Sequence, residues 1–156
     1  ALIIRKQYQE EGKIKAREGN SLHQGGCMLY WGEGNKSKNT CGLSNSDPEL
    51  LKYFIKFLYE CYEITPSDIL IKTQYYLTNN ISLEEIEKYW SKTLNLPIEN
   101  FRKSSNKISS ASKGKKPTNT LLYGTATISV HSTEIVQNIY GAIQEYGNFV
   151  NTNWID

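Results

Sequence analysis

The chain has 156 residues, of which 38% are hydrophobic and 22% charged, with 11 Tyr, 4 Phe and 3 Trp. That length suits one domain and that composition supports a packed core rather than disorder. The formal net charge is only +2, so charge bears on partners through its distribution and not its sum. No apolar run approaches the roughly 18 residues of a membrane span, and no signal-type segment opens the chain, so a soluble, cytoplasmic protein without membrane contact is expected. Cys27, Cys41 and Cys61 lack the close spacing of a zinc site and are expected to be reduced thiols; His23 and His131 are too few for a multi-histidine centre. The first residue is Ala1 rather than Met, so whether a segment precedes it is left open by the sequence.

In chain order, residues 1–19 read as a mixed-charge helix broken at Gly12, an N-terminal helix or the remnant of a preceding region; residues 20–156 form the domain. A second helix is predicted over 21–31, stopped by Gly32-Glu33-Gly34-Asn35. A strand over 39–45 leads to Asp47 as N-cap and Pro48 at the first helical position, followed by a stripe of Leu50, Phe54, Phe57, Leu58 and Cys61. Residues 68–78 alternate, Ile69, Ile71, Thr73, Tyr75 and Leu77 against Leu70, Lys72, Gln74, Tyr76 and Thr78. Ser82 and Glu85 open a helix over 83–94, ended by Pro97. A strand over 121–130 sets Leu122, Ala126, Ile128 and Val130 against Tyr123, Thr125, Thr127 and Ser129. A last helix runs from Ser132 to near Gly147, with a tail packing through Phe149 and Trp154. The fold class is α+β: a mostly antiparallel sheet with helices on one face and a polar face left open.

Between helix and strand, Arg102, Lys103, Lys107, Lys113, Lys115 and Lys116 occur with no Asp or Glu among them, around one short strand near 101–108. The segment reads either as a lysine-rich surface loop or, as favoured here, as an arm contacting phosphates. Lys36 and Lys38, just beyond Glu33, read as further candidate phosphate contacts or as solvated lysines after a helix end. Tyr76, Thr125 and Thr127 on the polar face are hydrogen-bonding types that can read base edges or phosphates; the bland alternative is a hydrated outer face. His131, between a strand and a helix cap, reads as structural.

On the second helix Leu22, Gly25, Gly26, Leu29 and Gly32 recur at three- and four-residue steps. Glycine inside a helix costs up to about 1 kcal/mol relative to alanine, so close approach of another backbone is the expected reason, and a two-fold homodimer interface the expected partner surface. Glu33 then stands at the negative end of the helix dipole, beside its own copy, where a divalent cation would relieve the repulsion. The bland alternative is a helix-ending turn with Glu33 exposed. Lys72 and Gln74 are the catalytic companions suggested by chemistry.

The segment GGCMLYWGEG, followed by a strand, resembles the signature helix of the LAGLIDADG homing-endonuclease superfamily, Glu33-Gly34 matching its acidic-residue–glycine ending. The blocks LYWGEG, NSDPELLKYFIKFL, YWSKTLNLP, YGTATISVHST and IVQNIYGAIQEYG resemble a related family of largely uncharacterised bacterial proteins, some with a helix-turn-helix region before this domain. The resemblance covers roughly residues 19–156. It implies a single-motif homodimer with the signature helices at the interface, Glu33 as catalytic residue and ligand of Mg²⁺, and a curved sheet on double-stranded DNA. Hydrolysis of phosphodiester bonds is the enzymatic expectation. The alternative is a non-catalytic DNA-binding transcriptional regulator that uses the fold to dimerise. Two departures stand out: Trp31 replaces the first acidic residue of the motif, and a helix follows the first strand where the endonuclease pattern has two strands.

Overall fold

The computed structural model describes residues 1–76, 80–106 and 122–156. Leu77, Thr78, Lys107, Lys113, Lys115, Lys116 and Leu121 lie outside the described residues. Among those described, the helices are α1 (Leu2–Ala16), α2 (Ser21–Glu33), α3 (Pro48–Tyr62), α4 (Leu83–Leu94) and α5 (Thr133–Gly147). The strands are β1 (Cys41–Asn45), β2 (Leu70–Tyr75), β3 (Ser105–Asn106) and β4 (Thr125–Val130). Side-chain oxygens cap the helices as their sequences predict: Asp47 accepts from the amide of Glu49, Ser82 from Glu85 and Ser132 from Ile135. Asn20 does the same for α2 through His23.

The sheet order is β1-β4-β2-β3. β4 is central and antiparallel to both β1 and β2, with Ser44 opposite Thr127 and Lys72 opposite the same Thr127 on the other side. β3 adds a two-residue parallel edge to β2, the short strand expected near 101–108. Ala126, Ile128 and Val130 of β4, with Ile71 of β2 and Cys41 and Leu43 of β1, are buried against the helices. The other side of each strand faces outward. The α+β architecture with helices on one face is therefore as read from the alternation.

Several details differ from the sequence expectation. Helix α1 is not broken at Gly12, because that glycine lies on α5: a Cβ there would collide with the carbonyl oxygen of Asn138. Gly141 of α5 meets the carbonyl of Gln9 in the same way, so the two backbones touch at both positions. The contact is sealed by buried amides: Gln9 donates to Gln137 at 2.8 Å, and Gln144 donates to Gln9 at 2.9 Å. Helix α1 is thereby built into the same core as the rest of the described chain. On α3 the buried stripe runs through Leu51, Phe54, Ile55, Phe57 and Leu58, while Leu50 and Cys61 are half-buried. Leu122 is 45% exposed in the turn before β4, not on its apolar face.

Two substitutions test this packing. Gly141→Val forces a branched side chain into the α1–α5 contact and is expected to destabilise the protein by about 1–3 kcal/mol or more in urea denaturation. Thr73, on the covered side of β2, is 1% exposed, and its hydroxyl has no hydrogen-bond partner among the described residues. Thr73→Val removes that hydroxyl at nearly constant shape and is expected to leave stability unchanged or raise it by about 1 kcal/mol.

Candidate nucleic-acid interface

Helix α2 runs through Gly32 and ends at Glu33, two residues later than predicted; Gly34 leaves the helix in extended conformation while its amide still bonds the carbonyl of Tyr30 at 2.7 Å. Gly34 then pairs with Leu43 in an antiparallel bridge, and the Asn35 amide donates to the carbonyl of Gly42 at 2.7 Å. Two extended segments thus follow α2 before α3 begins, the first only a bridge long. A one-residue pairing has no periodicity to read, which is why the sequence shows a single strand there.

Two buried tyrosines hold the segment after Glu33. Tyr30 donates to the carbonyl of Asn35 and accepts from the Gly42 amide at 3.2 Å. Tyr140 of α5 donates to the carbonyl of Ser37 at 2.6 Å. Burial pushes both phenols up, so they remain neutral hydrogen-bonding groups. Lys36 donates to the carbonyls of Tyr30 at 3.1 Å and Gly34 at 2.8 Å, placing a cation on the negative end of α2. Its pKa is lowered by burial, with Glu33 acting in the opposite direction. The charge relief expected from a metal at this helix end is therefore partly supplied by the chain itself.

The glycine stripe of α2 is filled differently from expectation. A Cβ at Gly26 would overlap the Phe57 ring, and one at Gly25 the Tyr53 hydroxyl, both from α3. Gly26 is buried within the chain and so is not open to a second copy. The close approach anticipated at these glycines thus occurs with α3 side chains. Gly32 has open space around it, Leu22 and Leu29 are half-buried, and Gln24, Trp31 and Glu33 are exposed. Trp31 stacks on Phe149 at 5.1 Å between ring centroids, which anchors the tail beside the helix end.

On the open sheet face, Ser44 of β1, Thr125, Thr127 and Ser129 of β4, and Leu70, Lys72 and Gln74 of β2 point outward, while Gly42 in the same register is buried. Ser44 and Thr127 hydroxyls hydrogen-bond across the strands. Lys72 is exposed, Gln74 half-exposed beside Thr125, and no carboxylate interrupts these three strands. Tyr76 is half-buried beyond the end of β2. Arg102 and Lys103 are exposed at the β3 edge. Lys38 donates to the backbone oxygen of Asp156, and its own carbonyl accepts from Gln137 at 3.0 Å, so it is tied into the tail.

A buried polar relay was not anticipated from sequence. Tyr62 donates to Asn138 Oδ1 at 2.6 Å, which leaves its oxygen to accept from His23 Nε2 at 3.2 Å; His23 Nδ1 then accepts from Tyr146 at 2.7 Å. This chain assigns the Nε2–H tautomer. Only the four-residue spacing of His23 and Cys27 on α2 hinted at a shared face. Burial, reinforced by Lys15, lowers the His23 pKa to about 4. Burial pushes the Cys27 thiol up and that of Cys41 up to about 12, so neither offers a thiolate near neutral pH.

Among the described residues, no group of three or more His, Cys, Asp or Glu side chains could hold a metal ion. No described helix is long and apolar enough to cross a membrane. Comparisons with protein-family models, with curated proteins and with solved structures gave no match.

The relay makes a pH prediction. Because the folded pKa of His23 lies below its ordinary value of 6.5, the unfolded chain binds more protons between that value and about 4. The contribution is complete above pH 6.5 and is lost as pH falls through this window. Urea denaturation of wild type and His23→Gln at pH 7.5, 6 and 5 is expected to show a steeper loss for wild type.

Proposed function

We propose that this chain is a DNA-binding protein of the homing-endonuclease type that acts as a homodimer, with its open sheet face on double-stranded DNA. The observation that carries the reading is the outward side of β1, β4 and β2, which offers hydroxyls, an amide and Lys72 without a carboxylate. Such groups meet base edges and phosphates, and an acid-free surface avoids repelling the polyanion. Three strands at about 4.8 Å spacing put the outer strand axes roughly 10 Å apart, comparable with a major groove about 12 Å wide. Arg102 and Lys103 are exposed at the β3 edge, and Lys107, Lys113, Lys115 and Lys116 follow them in the sequence.

The pairing of Gly34 with Leu43 supports the resemblance, since it restores a second extended segment after the signature helix. Dimerisation through the exposed strip of α2 around Gly32 would bring Glu33 of two copies together. A Mg²⁺ ion takes one or two carboxylates together with waters and substrate phosphates, and since no group of three or more potential ligands lies among the described residues of one chain, that meeting is where nuclease activity would be centred. Lys72 and Gln74, neighbours on one outward face, are the residues we assign to contacts at the scissile phosphates.

A second reading, a non-catalytic DNA-binding regulator, is favoured by the end of α2 itself. Lys36 already caps it and Trp31, in place of an acid, stacks on Phe149. A plasmid assay separates the two. Cutting that requires Mg²⁺, stops with EDTA and is lost in Glu33→Gln supports the nuclease; binding without cutting supports the regulator. For either, about six phosphates neutralised predict a log–log salt slope near about −5, and a slope near zero contradicts DNA binding through these cations.

A further inference from the structure

Between α4 and the β3 edge lies a cleft of about 490 Å³, within the ~300–1,000 Å³ of ordinary ligand pockets. Its walls include two half-buried aromatic rings, Tyr75 at the end of β2 and Phe101, whose backbone bridges to Ile71. Ile98 beside them leaves 49% of its surface to solvent, although it is a large apolar side chain. Exposed Arg102 and Lys103 contribute cations, and Glu87 of α4 contributes a carboxylate. Neither cation is within ion-pairing distance of Glu87 among the described residues. Arg102 is set in place: its amide donates to the carbonyl of Ile71 at 2.8 Å, and its Nη1 donates to the carbonyls of Glu99 and Phe101. Among the described residues its other N–H groups have no partner, so they can meet an incoming anion.

The combination selects its ligand by chemistry. A purely apolar ligand would waste both cations, and a simple anion would be repelled by Glu87. A ligand with a flat π-face, an exocyclic amino group and a phosphate satisfies all three: the ring stacks on Phe101 and Tyr75, the amino group donates to Glu87, and the phosphate accepts from Arg102 and Lys103. We propose that this cleft takes one unpaired nucleotide of a DNA strand, its base carrying an amino group. Tyr75 follows Gln74 on β2, and neighbouring residues of a strand point to opposite faces. The cleft therefore opens around the sheet edge from the face proposed to carry the duplex. The source of the nucleotide, a strand rather than a free mononucleotide, rests on that reading; the cleft itself does not.

The test compares a duplex carrying one bulged 2-aminopurine with the fully paired duplex, using the whole chain. The bulged duplex is expected to bind about fivefold tighter or more, as base–aromatic stacking allows, and the 2-aminopurine emission to fall on binding. Phe101→Leu, which keeps apolar bulk without a π-face, is expected to lose both effects. Ile98→Glu, at an exposed position where folding is not at stake, is expected to remove the preference by repelling the phosphate. Equal affinity for the two duplexes with unchanged emission overturns the inference and leaves duplex binding standing. Binding of dAMP at the cleft without a bulge preference also overturns it, in favour of a free mononucleotide. Failure to bind either duplex removes the DNA reading, and the strand nucleotide with it.

Discussion

The two-residue period of β4 divides this molecule into a side that must be covered and a side that need not be. Ala126, Ile128 and Val130 point to the helices, while Thr125, Thr127 and Ser129 point away, and antiparallel pairing on both flanks transmits the division to β1 and β2. A slip of one residue in either register would send hydroxyls and Lys72 into the core and Ile71 and Leu43 into water. The helices α2, α3 and α5 are therefore committed to the apolar side. Their packing leaves one broad polar surface, and its chemistry is set by which residues the alternation sends outward.

Around that division the chain is fastened at one corner. Tyr30, Tyr140 and Gln137 take the carbonyls of the segment from Asn35 to Lys38, and the tail is stacked on by Trp31 and Tyr140. Glu33 thus projects from a helix end whose following residues are hydrogen-bonded into the core. A carboxylate on a rigid mount can be matched by a second copy more accurately than one on a loop. The same fastening explains why Lys36 and Lys38, free-looking in sequence, are engaged with backbone oxygens.

What could be read in the sequence was whatever leaves a local pattern. Asp47-Pro48, Ser82 and Ser132 announce helix starts because capping needs a side-chain oxygen at a fixed offset. The alternation of β4 announces its two faces. What could not be read depends on partners far along the chain. Gly12 looks like a helix breaker until α5 lies against it, and the Gly25-Gly26 pair looks like a dimer contact until Tyr53 and Phe57 are seen to fill that space. The His23 relay joins residues separated by up to 123 positions, and its members share no spacing. The carbonyls that claim Lys36 and Lys38 are likewise invisible in a list of charges.

The central claim is that the open side of the sheet, and not the helical side, meets duplex DNA. Threonine-methyl NMR addresses it directly, because Thr125 and Thr127 lie on the open side and Thr73 on the covered side of the same sheet. On titration with a DNA duplex, the account predicts shifts and line broadening at Thr125 and Thr127 with Thr73 nearly unmoved. Perturbation confined to threonines on the helical side, such as Thr133, with Thr125 and Thr127 unchanged at saturation, would contradict it.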